Sequence, residues 1–174
     1  GVPAIDIRAQ CSAFVYGLSI ADAFIRTGQY RTILLVGVEI QSTGIDVSTR
    51  GRDIAVLFGD GAGAAVLTAT EDEDRGVLST HLHADGRYAE MLWVEFESGK
   101  HHPRITAEMI HEGRHYPSMN GKEVFKHAVV RMPEAVEEAL AANGLDIADL
   151  DLLIPHQANL RITQMVQRRL GLSD

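Results

Sequence analysis

Thr32-Ile33-Leu34-Leu35-Val36-Gly37-Val38 is an unbroken apolar run of strand length, and its reading decides the fold class. Apolar residues at successive positions suit a strand covered on both faces, as in a mainly parallel sheet. Upstream, Val15, Leu18, Ala21, Phe24 and Ile25 recur at helical spacing between Ser12 and Thr27, and Gly28 is placed to end that helix. Downstream, Asp151-Leu152-Leu153-Ile154 reads as a strand and Gln157 to Leu170 as an amphipathic helix. Strands alternating with helices predict an α/β layered fold. Ala4 to Ile7 and Gly76 to His83 read as further strands. Residues 41–53 are polar and turn-rich, and Ile54 to Phe58 form a short apolar run. Glu71 to Asp74 read as a solvated acidic turn, and the His-, Pro- and Arg-bearing stretch 97–118 as a long loop or insertion. Gly121 to Asn143 reads as a helix that Pro133 kinks or divides.

The chain has 174 residues, a net charge of −8 and 45% hydrophobic residues, enough to bury a core. One cysteine excludes an internal disulfide and favours a reducing, cytoplasmic setting. No stretch approaches the ~20 apolar residues that span a bilayer, so no membrane partner is expected. The acidic balance argues against nucleic acid, which needs a basic face. The abrupt ends, Gly1-Val2-Pro3 running straight into an apolar segment and Leu172-Ser173-Asp174 directly after a helix, predict a piece of a longer chain.

Cys11, in Gln10-Cys11-Ser12-Ala13-Phe14, falls where a strand gives way to a helix. The free N–H groups and positive dipole end of that helix favour a thiolate nucleophile. For a lone cytosolic cysteine a small buried hydrophobe is the commoner reading, and position alone does not overturn it. His156 follows Pro155 at the carboxyl end of a strand, where open α/β sheets place ligands and proton-handling groups. A turn histidine packed on its neighbours is the alternative there. Asn159 suits a ligand contact or a helix cap. Gly59-Asp60-Gly61-Ala62-Gly63-Ala64 formally matches a dinucleotide fingerprint, but a short β-like run follows instead of a helix. A tight glycine turn with close backbone approach is the better reading. His81 and His83 share one strand face, yet no cysteine partner or H-E-x-x-H helix accompanies them, so no metal is expected. Arg161, Arg168 and Arg169 lie opposite Ile162, Val166 and Leu170, a basic face suited to an acidic or phosphorylated partner or simply to solvent.

Four stretches in order carry a family resemblance: Asp6 to Phe14, Phe58 to Ala64, Met119 to Lys126, and Pro155-His156-Gln157-Ala158-Asn159-Leu160-Arg161-Ile162. Together they resemble β-ketoacyl-acyl-carrier-protein synthase III, a thiolase-fold condensing enzyme. The resemblance covers nearly the whole chain but only about the middle half of such an enzyme. It implies a thiolase-like layered αβαβα fold present only in part. Residues 1–75 would be the latter part of the N-terminal half, and 76–174 the first part of the C-terminal half.

By the same resemblance, Cys11 is acylated by acyl-CoA, and a malonyl-acyl-carrier-protein then condenses with that acyl group to initiate fatty-acid synthesis. His156 would stabilise the developing enolate oxygen together with a second asparagine beyond the chain's end. Ala158 and Asn159 would line the pantetheine approach, Phe125 the acyl or pantetheine channel, Arg50 the CoA nucleotide site, and Arg161 the carrier-protein dock. No cofactor is implied beyond these substrates, and a homodimer is. Gln10 and Ala13 depart from the family's usual Ala and Gly, and 93–118 looks long, which leaves primer length open. A secondary-metabolism relative using the same cysteine, or an inactive folded fragment, are the rival readings.

Overall fold

The computed structural model describes residues 1–72 and 75–173. Glu73 and Asp74, half of the expected acidic turn, lie outside the described residues, as does Asp174. The chain forms two compact units. One comprises Gly1–Val38, Gly61–His83 and Val136–Asp151; the other comprises Glu39–Asp60, Ala84–Ala135 and Leu152–Asp174.

In the first unit, helix α1 (Ala13–Arg26) packs on strand β1 (Thr32–Glu39). Gly17 is buried, and a Cβ there would stand 2.6 Å from Leu35 Cδ1. A Cβ on Gly37 would likewise meet Phe14 at 3.3 Å, so the two elements approach closely from both sides. Thr27 Oγ1 donates to the Ala23 carbonyl, and Gly28 at φ 72° ends the helix as the sequence predicts. Strand β2 (Gly61–Thr68) pairs with β1. Ala69 N–H donates to the Arg31 carbonyl, so the end of β2 lies beside the start of β1 and the pair is antiparallel.

The expectation of a parallel, doubly covered β1 therefore needs correcting. Leu34, Val36 and Val38 are 64%, 51% and 66% exposed, so among the described residues only one face of the strand is covered. The tight glycine turn is also corrected: Gly61 and Gly63 lie within β2, and a Cβ at Gly59, Gly61 or Gly63 meets nothing within 4 Å.

In the second unit, a 3₁₀ turn (Thr49–Gly51) leads into α2 (Arg52–Ala55), so the start of the apolar run at 54–58 is helical. Strands β3 (Leu92–Trp93) and β4 (Ser118–Met119) pair antiparallel, with Leu92 opposite Met119. Between them the expected long loop contains helix α3 (Ala107–Glu112), capped by Thr106 Oγ1, which accepts from Met109 N–H. The segment is tied to itself. Phe96, 2% exposed, lies beneath the Arg114 guanidinium at 4.6 Å and against the His101 ring at 4.5 Å. Arg114 in turn donates to both Glu95 oxygens and to Glu112.

Helix α4 (Gly121–Ala142) starts in the second unit and ends in the first, and Pro133 does not divide it. The missing N–H removes one bond to Val129, while the ring itself is fully buried. Helix α5 (Leu160–Leu170) buries Ile162, Val166 and Leu170 and exposes Arg161, Arg168 and Arg169, as the pattern predicts.

Three expected strands, at 4–7, 76–83 and 151–154, are not strands here. A strand needs a partner strand for its N–H and C=O groups, and among the described residues no strand pairs with them. Val2, Ile5, Leu152 and Ile154 stand exposed instead. Among the described residues no helix is long and apolar enough to cross a membrane.

Gly51 tests the packing of the second unit, because a Cβ there would lie 1.9 Å from the Asp46 carbonyl oxygen, which is backbone and cannot yield. Gly51→Ala is expected to lower unfolding free energy by ~2 kcal/mol or more, read from the denaturant midpoint.

Candidate active site

Cys11 sits in a single 3₁₀ turn, Gln10–Ser12, that runs directly into α1. Its side chain is exposed among the described residues. Ser12 N–H and Oγ both reach the Ala9 carbonyl, at 3.2 and 2.8 Å, and close the turn. Gln10 adopts φ 50°, a left-handed backbone for a residue with a full side chain. Such a conformation costs ~1–3 kcal/mol and clusters at functional sites. Among the described residues no acidic residue occupies the first turn of α1, and its N-cap Ser12 makes no side-chain cap hydrogen bond. The positive helix end is thus left beside the thiol, the environment that favours a thiolate. The strain at Gln10 was not legible beforehand, because only Gly, Asn or Asp would have signalled a positive φ.

His156 and Ala158 are exposed on the stretch leading into α5, in the second unit, whereas Cys11 belongs to the first. Asn159 is the N-cap of α5: its Oδ1 accepts from Arg161 N–H at 2.9 Å. Its carbonyl also accepts from Ile162 and Thr163. Two predicted residues, Asn159 and Arg161, are thereby joined through the backbone of one helix turn. Phe125 is half-buried near the start of α4, whose first turn is capped by Asn120 Oδ1 accepting from Glu123 N–H.

Arg50 is held by contacts that no motif indicated. Its Nε donates to Asp46 Oδ2 at 2.6 Å, its Nη1 to the His111 carbonyl at 3.4 Å, and it lies 5.8 Å from the Tyr116 ring centre. Gly113, at φ 73°, leaves room for the guanidinium, which a Cβ would meet at 2.4 Å. The buried Asp46 also accepts from Ser48 N–H. Its hydrogen bonds from Ser48 and then Arg50 lower its pKa to about 2. The side chain of Arg50 remains 54% exposed, so one edge is open to a ligand.

The paired histidines are not spare surface groups. His81 Nδ1 and His83 Nε2 both meet the Glu138 carboxylate, at 3.1 and 2.6 Å. Among the described residues no group of three or more His, Cys, Asp or Glu is arranged to hold a metal ion.

Two outcomes check this geometry. Asn159→Ala should cost ~1 kcal/mol through loss of the α5 cap, and Asn159→Asp should restore it, read by chemical denaturation. Asp46, depressed from 3.8 to about 2, adds stability above pH ~4 that is lost as pH falls towards 2. Wild type should therefore lose more stability than Asp46→Asn between pH 4 and pH 2.

Two family models match: 3-oxoacyl-[acyl-carrier-protein] synthase III over residues 5–86, and the C-terminal part of the same enzyme over residues 140–174. The β-ketoacyl-[acyl-carrier-protein] synthase III of Rhodospirillum centenum is 52% identical, with 97% of this chain and 50% of that protein aligned. The crystal structure of the synthase III from Aquifex aeolicus superimposes with a TM-score of 0.84 at 38% identity, covering 99% of this chain and 50% of that one. The priming β-ketosynthase of the R1128 polyketide pathway superimposes with a TM-score of 0.76 at 32% identity, over 97% of this chain and 48% of that one. The chain spans about half the length of these relatives and carries part of their thiolase-like fold. With matches this extensive at both ends, the chain belongs to the 3-oxoacyl-[acyl-carrier-protein] synthase III family.

Proposed function

We propose that the intact protein is a condensing enzyme that primes fatty-acid synthesis, with Cys11 as its nucleophile. The observation that carries this reading is the exposed thiol on a strained turn at the start of α1, in a member of this family. Cys11 Sγ attacks the thioester carbonyl of an acyl-CoA, the acyl group passes to sulfur, and CoA leaves as the thiol carrying the cysteine's proton. Malonyl-acyl-carrier-protein then binds and loses CO₂. The resulting enolate carbon attacks the acyl-cysteine carbonyl, forms the new C–C bond and expels the Cys11 thiolate. His156 donates a hydrogen bond to the enolate oxygen as charge develops there, sharing that task with an asparagine outside these residues.

Ala158 and Asn159 line the pantetheine path, Phe125 the acyl or pantetheine channel, and Arg50 the nucleotide of CoA. The exposed Arg161 suits an acidic carrier protein. Residues 1–75 belong to the N-terminal thiolase-like half and 76–174 to the C-terminal half. The intact protein works as a cytoplasmic homodimer without a cofactor. A second reading, priming in polyketide or other secondary metabolism, draws support from the R1128 ketosynthase likeness.

Incubating the intact protein with acyl-CoA is expected to add one acyl mass at Cys11, located by peptide mass spectrometry, and Cys11→Ala should abolish it. An unmodified Cys11, or full condensation by the variant, overturns the proposal. Product analysis with malonyl-acyl-carrier-protein separates the two readings. Residues 1–174 alone should give no turnover.

A further inference from the structure

The segment expected to be a strand at 76–83 lies along α1 in the opposite direction. Arg26 Nη2 donates to the Val77 carbonyl at 2.7 Å, Thr80 Oγ1 to Ser19 Oγ at 2.9 Å, and Tyr16 Oη to the His83 carbonyl at 3.5 Å. The contacts thus step back along the helix from Arg26 to Tyr16, little more than one turn after Cys11. The last is the longest and weakest of the three, so the register near the thiol depends on what else holds His83.

That other support comes from α4 and the residue that follows it. Asn143 Nδ2 donates to Ser79 Oγ at 2.7 Å, and Ser79 Oγ lies 2.9 Å from His81 Nε2. Because the carboxylate only accepts, the proton shared between them sits on His81 Nδ1. His83 Nε2 meets the second Glu138 oxygen. Glu138 thereby joins both imidazoles, and through His81, Ser79 and Asn143 the contacts form one chain. The charged pair on α1, Asp22 with Arg26, lies at the far end of the segment.

We propose that Glu138 is a positioning residue which, by gripping His81 and His83, keeps residues 77–83 laid along α1 and so fixes the helix turn that carries Cys11. This rests on Cys11 being the nucleophile, as argued above. Glu138 touches no reacting atom. Its role is to stop the start of α1 from shifting relative to the turn at Gln10–Ser12.

The test is the rate of Cys11 alkylation by iodoacetamide in the intact protein, followed by mass spectrometry from pH 6 to 9. Glu138→Ala is expected to slow alkylation at pH 7 roughly tenfold, within the range that ångström-scale misplacement produces, and to move the midpoint of the pH profile upward. Glu138→Gln, which accepts one imidazole N–H and opposes the other, should fall between Glu138→Ala and wild type. Tyr16→Phe should move the profile the same way by less. Thr106→Ala, which removes the α3 cap in the other unit, should lower thermal stability without altering the profile. An unchanged rate and midpoint in Glu138→Ala, with only a lowered melting temperature, overturns the proposal. If that variant does not fold, unchanged profiles in Glu138→Gln and Tyr16→Phe overturn it equally. Alkylation that depends on Glu138 in a protein that acyl-CoA does not acylate would sink the proposed reaction and leave the positioning role standing.

Discussion

Gly17 lets the backbone of α1 come down onto Leu35 of β1, and the first unit is organised around that approach. A larger residue would push the Leu35 side chain aside, and close-packed neighbours feel such a displacement. With one side of α1 set by β1, its neighbouring side takes the 77–83 segment, which is in turn held by Glu138 and Asn143. Cys11 stands at the end of a helix fixed by two sets of contacts. For the proposed nucleophile that fixity matters more than burial, because the influence of a helix terminus fades within a turn.

The second unit solves a similar problem with charge. Asp46 and Arg50 form a partly buried pair whose guanidinium occupies the space beside Gly113. Arg114 clamps Glu95 and Glu112 over Phe96. These arginines order a stretch with little hydrophobic periodicity and few apolar anchors. Arg50 thereby has two faces, one engaged by its own chain and one open.

The helices were largely readable from the chain because a helix satisfies its own hydrogen bonds: α1, α4 and α5 fall close to where their apolar spacing and capping residues put them. The apolar run at β1 was readable too. The strands expected at 4–7, 76–83 and 151–154 were not realised, because a strand exists only where another chain segment accepts its ladder. The candidate site divides the same way. Cys11 and His156 stood out by residue type and neighbours, and Asn159 was already weighed as a cap. Arg50's partners, the strain at Gln10 and the grip of Glu138 on two histidines join residues far apart in sequence or depend on backbone torsion, and neither leaves a local signature.

The sequence by itself determined where the three longest helices run, which of these 174 residues is the one thiol, and which family the motifs resemble. Periodicity, capping and side-chain chemistry are local properties, so no folding was needed to read them. Only the tertiary structure decided that the thiol is exposed among the described residues, that Pro133 leaves α4 undivided, and that His81 and His83 both bond Glu138. Each of those outcomes depends on what distant segments bring to the same place, and exposure, partners and strain are set by that meeting.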